Sequence, residues 1–233
     1  MTNLSSRLFA IFPIFPLLIL SGFANAGEKK EEAPAAPEKV EGAIELFDGK
    51  TLDGWKDFDC GGSGEVKVDE KEGAMIIGFG ETLTGVIYKK AADLPKINYE
   101  ISLMAKRVDG TDFFCGLTFP YGDVKTCATL VVGGWGGGLT GISSIGGLDA
   151  SENETGDFYR IEDKKWYNIR LRVTEEKIEA WIDKDKVIDL ETKDREIAMR
   201  PGDIELYMPL SITTFQTTAA IKDVTFTPIE KKE

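Results

Sequence analysis

An acidic segment in the second half of the chain carries its densest set of groups capable of chemistry. Four carboxylates and one amide fall within nine residues, at Asp149, Glu152, Asn153, Glu154 and Asp157. A carboxylate serves as a general base when it is held within reach of an acidic proton. The same oxygens suit Ca²⁺, which takes about six to eight oxygen ligands. They can also accept hydrogen bonds from the hydroxyls of a sugar.

These uses stay open beside a simpler one, a solvated acidic loop. The acidic spacing does not fit the EF-hand pattern, so a calcium site between residues 149 and 157 is a candidate only, and the ligands of any metal are unknown. Nothing in the sequence requires a cofactor. Asn153-Glu154-Thr155 matches a glycosylation sequon, which carries little weight on its own.

The chain contains no histidine. This excludes Ser-His-Asp and Cys-His nucleophilic mechanisms, zinc sites built on histidine, and acid–base catalysis by imidazole. Any general acid or base must therefore be Asp, Glu, Tyr or Lys.

A glycine-rich stretch precedes the acidic segment. Six of the nine residues from 133 to 141 are glycine, and Trp135 stands among them. Glycine is costly in regular elements, by up to about 1 kcal/mol relative to alanine, so the cluster needs a reason. One reason is close approach of the backbone to a ligand, with Trp135 as a stacking surface. The other is a set of bulges and bends in a curved sheet.

Residues 166–184 alternate with a period of two and predict a hairpin with one face in the core. The predicted register pairs Val173 with Ile178, Arg172 with Glu179, Arg170 with Trp181 and Ile169 with Ile182. Trp181 then lies off the core face. It is either a platform for a sugar or the partner of Arg170 in a cation–π pair, and the pair is favoured.

The rest of the chain after residue 43 also predicts strands. About a dozen short runs alternate or are continuously apolar, separated by Gly, Asp and Lys turns, and no stretch sustains the spacing of an amphipathic helix. Many short strands predict an all-β sandwich or barrel. We expect the first strand, at 43–47, and the last, at 219–229, to lie near each other and close the sandwich.

The ends of the chain have a different character. Residues 1–26 combine Arg7, an uncharged apolar run and Ala24-Asn25-Ala26, which is typical of a cleavable signal peptide. Residues 27–42 predict a disordered linker. The β-domain is expected over 43–230, before a charged tail at 231–233. We therefore expect a secreted or periplasmic protein, with no membrane insertion after cleavage.

Charge and cysteines narrow the partners further. A net charge of −12 argues against nucleic acid and anionic membranes and is compatible with a neutral ligand such as a carbohydrate. We expect a monomer. Cys115 and Cys127 lie on two predicted strands joined by a turn at 120–123, so either they form a disulfide or they are buried free thiols, the favoured alternative.

The predicted domain opens with Leu46-Phe47-Asp48-Gly49-Lys50-Thr51-Leu52-Asp53-Gly54-Trp55. This opening resembles that of the 3-keto-disaccharide hydrolase domain family. Weaker similarities follow in the strands at 166–171 and 180–183 and in the closing strand at 221–226. The chain lacks the family's central Asn-Ser-Gly-Ile segment, in whose place stands the segment 112–118, and its Glu-x-Gln-x-Leu-Asp segment.

The resemblance implies a concanavalin A-like jelly-roll β-sandwich of two antiparallel sheets outside the cytoplasm. It also implies cleavage of the glycosidic bond of a sugar oxidised at C3, by a base that removes the acidified C2 proton. On that hypothesis Asp149, Glu152, Glu154 or Asp157 is the base and Arg160, or a bound cation, holds the oxyanion. The sugar contacts are Trp135, Asn153 and Trp181. The alternative is a carbohydrate-binding or surface-interaction module without catalysis, because this fold serves both uses.

Overall fold

The structure, a computed structural model, describes residues 41–230. The predicted signal peptide, most of the predicted linker and the tail at 231–233 lie outside the described residues. Within 41–230, no helix is long and apolar enough to cross a membrane.

Nearly all regular structure in this range is strand. Two short 3₁₀ turns occur at Ala91–Asp93 and Asp203–Tyr207. The strands are β1 (Ile44–Glu45), β2 (Trp55–Asp57), β3 (Val66–Asp69), β4 (Ala74–Ile77), β5 (Leu83–Tyr88), β6 (Tyr99–Gly110), β7 (Cys115–Tyr121), β8 (Asp123–Gly134), β9 (Leu139–Ser143), β10 (Asp157–Phe158), β11 (Trp166–Val173), β12 (Lys177–Ile182), β13 (Asp185–Glu191), β14 (Ser211–Phe215) and β15 (Thr217–Pro228).

These strands form two antiparallel sheets. The eight-stranded sheet has the order β13-β12-β11-β6-β15-β4-β3, and β1 also pairs with β15. The seven-stranded sheet has the order β10-β9-β8-β7-β14-β5-β2. The two sheets bury one core between them, which confirms the predicted all-β sandwich.

Alternation along each strand explains why the sheets pack together. In β11, Tyr167, Ile169, Leu171 and Val173 are buried in the core, while the residues between them are partly exposed. In β8 of the other sheet, Leu130 and Val132 belong to the same core. Because successive side chains of a strand point to opposite faces, the outward-facing side chains of each sheet take no part in this core.

The hairpin and the pairing of the chain ends match the sequence predictions. Val173 lies opposite Ile178, and the three other predicted pairs of β11 and β12 are also found. Ile44 of β1 pairs with Phe226 of β15, so the first and last strands of the described range are neighbours.

The opening motif builds a turn and a core corner. One oxygen of Asp48 accepts hydrogen bonds from the backbone amides of Lys50 and Thr51, both at 2.8 Å. These donors hold the pKa of Asp48 below its usual value. Trp55 is buried and donates its indole N–H to the carbonyl of Leu46 at 2.9 Å. The opening motif, which is the most specific part of the sequence resemblance, therefore has a structural role in the fold.

The three cysteines are free thiols. Cys115 lies opposite Val132 and Cys127 lies opposite Pro120 in the ladder of β7 and β8, so the two thiols are not cross-strand partners. Burial raises the pKa of each thiol to about 12. Of the two alternatives that the sequence left open, the structure has the buried free thiols.

Candidate functional site

The outer face of the seven-stranded sheet is lined by small and hydroxyl-bearing side chains. Thr129 and Val131 of β8 and Ser143 of β9 alternate with core residues and so point away from the sandwich interior. Thr118 of β7 lies opposite Thr129, and their hydroxyl oxygens are 2.9 Å apart. This face is buried but polar, which indicates that further chain covers it.

The covering chain is the 195–210 segment, which connects β13 to β14. Ser144 and Ala198 exchange two backbone hydrogen bonds, of 2.8 and 3.2 Å, at one side of the sheet. At the other side, Tyr207 is fully buried and donates its hydroxyl to the carbonyl of Phe58 at 2.9 Å. The segment thus crosses the outer face and leaves a pocket beside it.

This pocket has a volume of about 400 Å³, within the range of small-ligand sites. The 195–210 segment supplies one wall and the sheet supplies the floor. The residues that line it are Thr82, Leu83, Asp112, Phe113, Thr129, Val131, Trp135, Ser143, Arg200, Pro201, Asp203, Ile204 and Phe215.

Aromatic rings form one wall of the pocket. Phe113 and Phe215 stack with ring centres 6.2 Å apart and planes 22° from parallel. Trp135 also lines the pocket and is 40% exposed, in contrast to the buried Trp55. Exposed aromatic faces beside polar groups suit the apolar C–H face of a sugar ring, and a sugar contact at Trp135 stays a prediction.

A buried cation fixes the turn that carries Trp135. Arg107 is only 7% exposed; it pairs with Asp163 at 2.6 Å and donates to the carbonyl of Gly137 at 3.1 Å. Gly137 has a φ of 103°, and a Cβ there would lie 2.7 Å from the Arg107 guanidinium. Trp135 itself has a φ of 49°, a backbone conformation that needs support from its surroundings. The glycine cluster therefore forms a tight turn that the buried Arg107 supports and that exposes the Trp135 side chain.

Asp112 lies beside this turn. Its carboxylate oxygen Oδ1 accepts the backbone N–H of Phe113 at 2.8 Å and lies 3.8 Å from where a Cβ on Gly134 would stand. The buried hydroxyl of Thr217 accepts from the Asp112 amide at 3.1 Å and donates to its carbonyl at 3.0 Å. Two hydrogen bonds therefore fix the Asp112 backbone and leave its carboxylate at the edge of the pocket.

A cation lies on the side of the pocket formed by the 195–210 segment. Arg200 lines it and pairs with Asp149 through Nη1 and Oδ2 at 3.1 Å. Ser143, which also lines the pocket, donates its hydroxyl to the other oxygen of Asp149. The Asp149 side chain is 15% exposed and that of Arg200 is 59% exposed. The Asp149 carboxylate is therefore largely buried, whereas the Arg200 guanidinium is exposed to solvent at the pocket.

The acidic segment does not converge on one point. The Asn153 side chain makes its hydrogen bonds within the loop. Its amide N–H groups donate to the backbone carbonyls of Ile142, Leu148 and Asp149, and its oxygen accepts from the backbone N–H of Thr155. Asn153 therefore shapes the loop from inside. Ala150 of the loop packs against Gly141 of β9, where a Cβ would come within 3.1 Å of it.

The other three carboxylates of the segment lie away from the pocket lining. Glu152 is exposed. Glu154 pairs with Arg195 at 2.8 Å, and both side chains are about half exposed. Asp157 lies opposite Thr140, which shares a sheet face with the core residue Ile142 rather than with Ser143. Of the four predicted bases, only Asp149 contacts residues that line the pocket, namely Ser143 and Arg200.

Two further residues predicted to bind the substrate, Trp181 and Arg160, also lie elsewhere. Trp181 belongs to the eight-stranded sheet, where the Arg170 guanidinium carbon lies 3.9 Å from the centre of its ring. This is the cation–π pair favoured by the sequence. Arg160 is exposed and does not line the pocket, and Arg200 is the cation that does.

Among residues 41–230, no group of three or more His, Cys, Asp or Glu side chains is placed to hold a metal ion. Calcium binding between residues 149 and 157 stays a prediction.

Sequence reasoning missed Asp112 and Arg200 as pocket residues. Asp112 had one visible signal, because it opens the segment that replaces the family's central motif. No signal in the sequence pointed to Arg200, because the position of the 195–210 segment depends on the strand order of the whole sandwich.

Comparisons with known proteins agree with this architecture. The family model of the 3-keto-alpha-glucoside-1,2-lyase-like domain matches residues 42–225. No curated protein matches the sequence significantly.

Among solved structures, the Crh5 transglycosylase in complex with NAG has a TM-score of 0.57 and 12% identity, over 85% of this chain and 86% of that one. The β-glucanase of Bacillus licheniformis has a TM-score of 0.50 and 10% identity, over 82% and 100%. Carbohydrate-binding module CBM66 from Bacillus subtilis has a TM-score of 0.47 and 16% identity, over 75% and 95%. At these identities the first two likenesses show a shared fold alone, and the third, with a TM-score below 0.5, carries no argument.

Proposed function

Because the chain belongs to the 3-keto-alpha-glucoside-1,2-lyase-like domain family, we propose that it cleaves the glycosidic bond of a sugar oxidised at C3, in the pocket on the seven-stranded sheet. The observation that carries this proposal is the composition of that pocket. An aromatic platform, a carboxylate and a cation, namely Trp135, Asp112 and Arg200, line one cavity.

The chemistry needs no imidazole. A ketone at C3 acidifies the proton on C2, and a carboxylate removes it to give an enolate. As the ketone re-forms, a C1–C2 double bond forms and the C1–O bond breaks, and the departing oxygen takes the proton from the carboxylic acid. Addition of water across the double bond then completes a net hydrolysis. The protein must supply a placed base and a stabiliser of the enolate oxygen.

Asp112 is the best-placed base in this pocket. Its backbone is fixed by the buried Thr217, and it lines the pocket together with Trp135, so we expect a ring stacked on the indole to lie near its carboxylate. Asp203 also lines the pocket but is exposed, which makes it less suited to hold a defined position. Asp149 is already engaged by Ser143 and Arg200.

We expect the protein to act after export, because residues 1–26 have the pattern of a signal peptide. Mass spectrometry of protein recovered outside the cytoplasm should find an N-terminus at Gly27. An intact N-terminus on the exported protein would contradict cleavage.

The test is release of nitrophenol from 4-nitrophenyl 3-keto-α-glucoside by the purified chain, with and without EDTA and Ca²⁺. We expect turnover that falls at least about a hundredfold with Asp112→Asn, a typical loss for a general base. Asp157→Asn, on the other sheet face, is the matched control and should keep wild-type rates. A loss with EDTA that Ca²⁺ restores would support the calcium prediction.

The competing function is carbohydrate binding without catalysis. It is favoured by the partial exposure of Trp135 and by the segment 112–118, which departs from the family's central motif. Saturable binding of the keto-sugar, with no release above the background rate at any pH, would establish it in place of the enzyme.

A further inference from the structure

The ion pair between Asp149 and Arg200 has a specific use if the proposed function is correct. We propose that Arg200 binds the C3 oxygen of the substrate and stabilises the enolate, and that Asp149 is the positioning residue that holds Arg200 in place. This inference rests on the proposed function and assigns roles within the same pocket that neither the sequence nor the comparisons assign.

The position of Arg200 is the first argument. Among residues 41–230, Arg200 is the one Lys or Arg side chain that lines this pocket. An enolate carries its negative charge on the former ketone oxygen, and a guanidinium donates charge-assisted hydrogen bonds to such an oxygen. Since Arg200 is more than half exposed, its donors that do not face Asp149 are free to meet a ligand.

The burial of Asp149 is the second argument. Asp149 gives one oxygen to Ser143 and the other to Arg200, and its own side chain is largely covered. A carboxylate held in this way is badly placed to take a proton from the substrate. It is well placed to restrict a long, flexible side chain that otherwise samples many rotamers.

The surrounding backbone supports the same arrangement. Asp149 follows the bridge between Ile145 and Leu148, and Arg200 follows the bridge between Ile145 and Ile197. One residue thus joins the two segments that carry the ion pair. The bridges and the ion pair therefore connect the loop to the 195–210 segment and fix the backbone from which the Arg200 side chain extends.

A neighbouring ion pair supplies a matched control. Arg195 and Glu154 connect the same two segments at 2.8 Å, yet both lie outside the pocket lining. If the role of Arg200 is only to join the segments, loss of Arg195 should have a similar effect. If Arg200 contacts the substrate, the two variants should differ sharply.

The experiment compares kcat and KM of Arg200→Ala, Asp149→Asn and Arg195→Ala on 4-nitrophenyl 3-keto-α-glucoside. Arg200→Ala should lower kcat by about a hundredfold to a thousandfold, the usual loss for one oxyanion donor. Added guanidinium should restore part of it. Asp149→Asn should lower kcat by roughly tenfold with little change in KM, because Arg200 remains but is less ordered. Arg195→Ala should stay within about twofold of wild type.

The pH dependence separates positioning from base catalysis. Asp112 and Asp203 are the carboxylates of the pocket lining, and Asp149 lies behind Arg200. The acidic limb of kcat/KM should persist in Asp149→Asn and disappear in Asp112→Asn.

Three results would overturn the inference while wild-type turnover preserves the proposed function. These are near-normal kcat in Arg200→Ala, equal losses in Arg200→Ala and Arg195→Ala, or loss of the acidic limb in Asp149→Asn. If the wild-type chain itself does not turn over the substrate, the proposed function fails first. Guanidinium rescue requires a folded pocket, so a positive result also excludes misfolding of Arg200→Ala.

Discussion

The guanidinium carbon of Arg170 lies 3.9 Å from the centre of the Trp181 ring, on the outer face of the eight-stranded sheet. Lys186 and Arg172 also approach this ring, at 5.2 and 5.5 Å. Cationic side chains therefore cover the indole, and its contacts stabilise the outer face of the eight-stranded sheet. A sugar platform on this face would first have to displace them.

Replacement of Trp181 by leucine should therefore cost stability and leave activity unchanged. We expect a loss of about 0.5–1 kcal/mol in the free energy of unfolding, the usual worth of an exposed cation–π pair. Urea unfolding followed by circular dichroism measures it. An unchanged midpoint, or reduced sugar affinity with normal stability, would assign Trp181 to binding instead.

Trp135 should behave in the opposite way. Trp135→Leu keeps an apolar side chain but removes the flat ring at the pocket wall. We expect KM for the keto-glucoside to rise about tenfold, equivalent to about 1.4 kcal/mol of binding, with only a small change in unfolding midpoint. Trp181→Leu is the matched control. Equal KM values in the two variants would show that Trp135 does not contact the substrate.

The hairpin of β11 and β12 shows what a sequence can predict. Core alternation and a short turn leave one register, because a slip by one residue would move Ile169 and Ile178 out of the core. The pairing of the first and last strands followed from architecture in the same way. These predictions depend on local patterns and on the general closure of a sandwich.

The pocket could be predicted only in part, because its walls come from distant parts of the chain. Trp135, which lines the pocket, was a candidate from the sequence because an aromatic residue among glycines is unusual within a local window. Asp112 and Arg200 come from the β6–β7 connection and the β13–β14 connection. Each of these two connections joins strands of different sheets, so no local pattern shows that the connections meet.

The acidic segment shows a second limit of sequence reasoning. Its charges are adjacent in sequence, but Asn153 turns the loop so that only Asp149 faces inward. Hydrogen bonds from one amide to three backbone carbonyls decide this direction. The sequence does not reveal which carbonyls they reach.

The cysteines give a prediction that needs no ligand. Burial raises the pKa of Cys115 and of Cys127 to about 12, so neither forms much thiolate at pH 8. Iodoacetamide should label only Cys60, which is half-buried, in the folded protein. All three should react in denaturant without a reductant. Two unreactive cysteines in denaturant, released by dithiothreitol, would reveal a disulfide that the structure does not contain.

Asp48 gives a prediction about pH. Backbone N–H donors lower its pKa in the folded state from an ordinary value of 3.8. The resulting stabilisation is fully present above pH 3.8 and is lost as the pH falls through the folded-state pKa. Asp48→Asn should therefore be less stable than wild type at pH 7, with a difference that narrows towards pH 2. Urea midpoints at several pH values measure it. A constant difference across this range would show that the charge of Asp48 contributes nothing.

The central claim is that the pocket removes the C2 proton of a 3-keto sugar. Proton NMR in D₂O tests it most directly, with methyl 3-keto-α-glucoside as substrate and the parent methyl α-glucoside as control. We predict that the wild-type chain yields sugar carrying deuterium at C2 together with free methanol, and leaves the parent glucoside unchanged. Release of methanol with the C2 proton fully retained, or from both glycosides alike, would contradict the account.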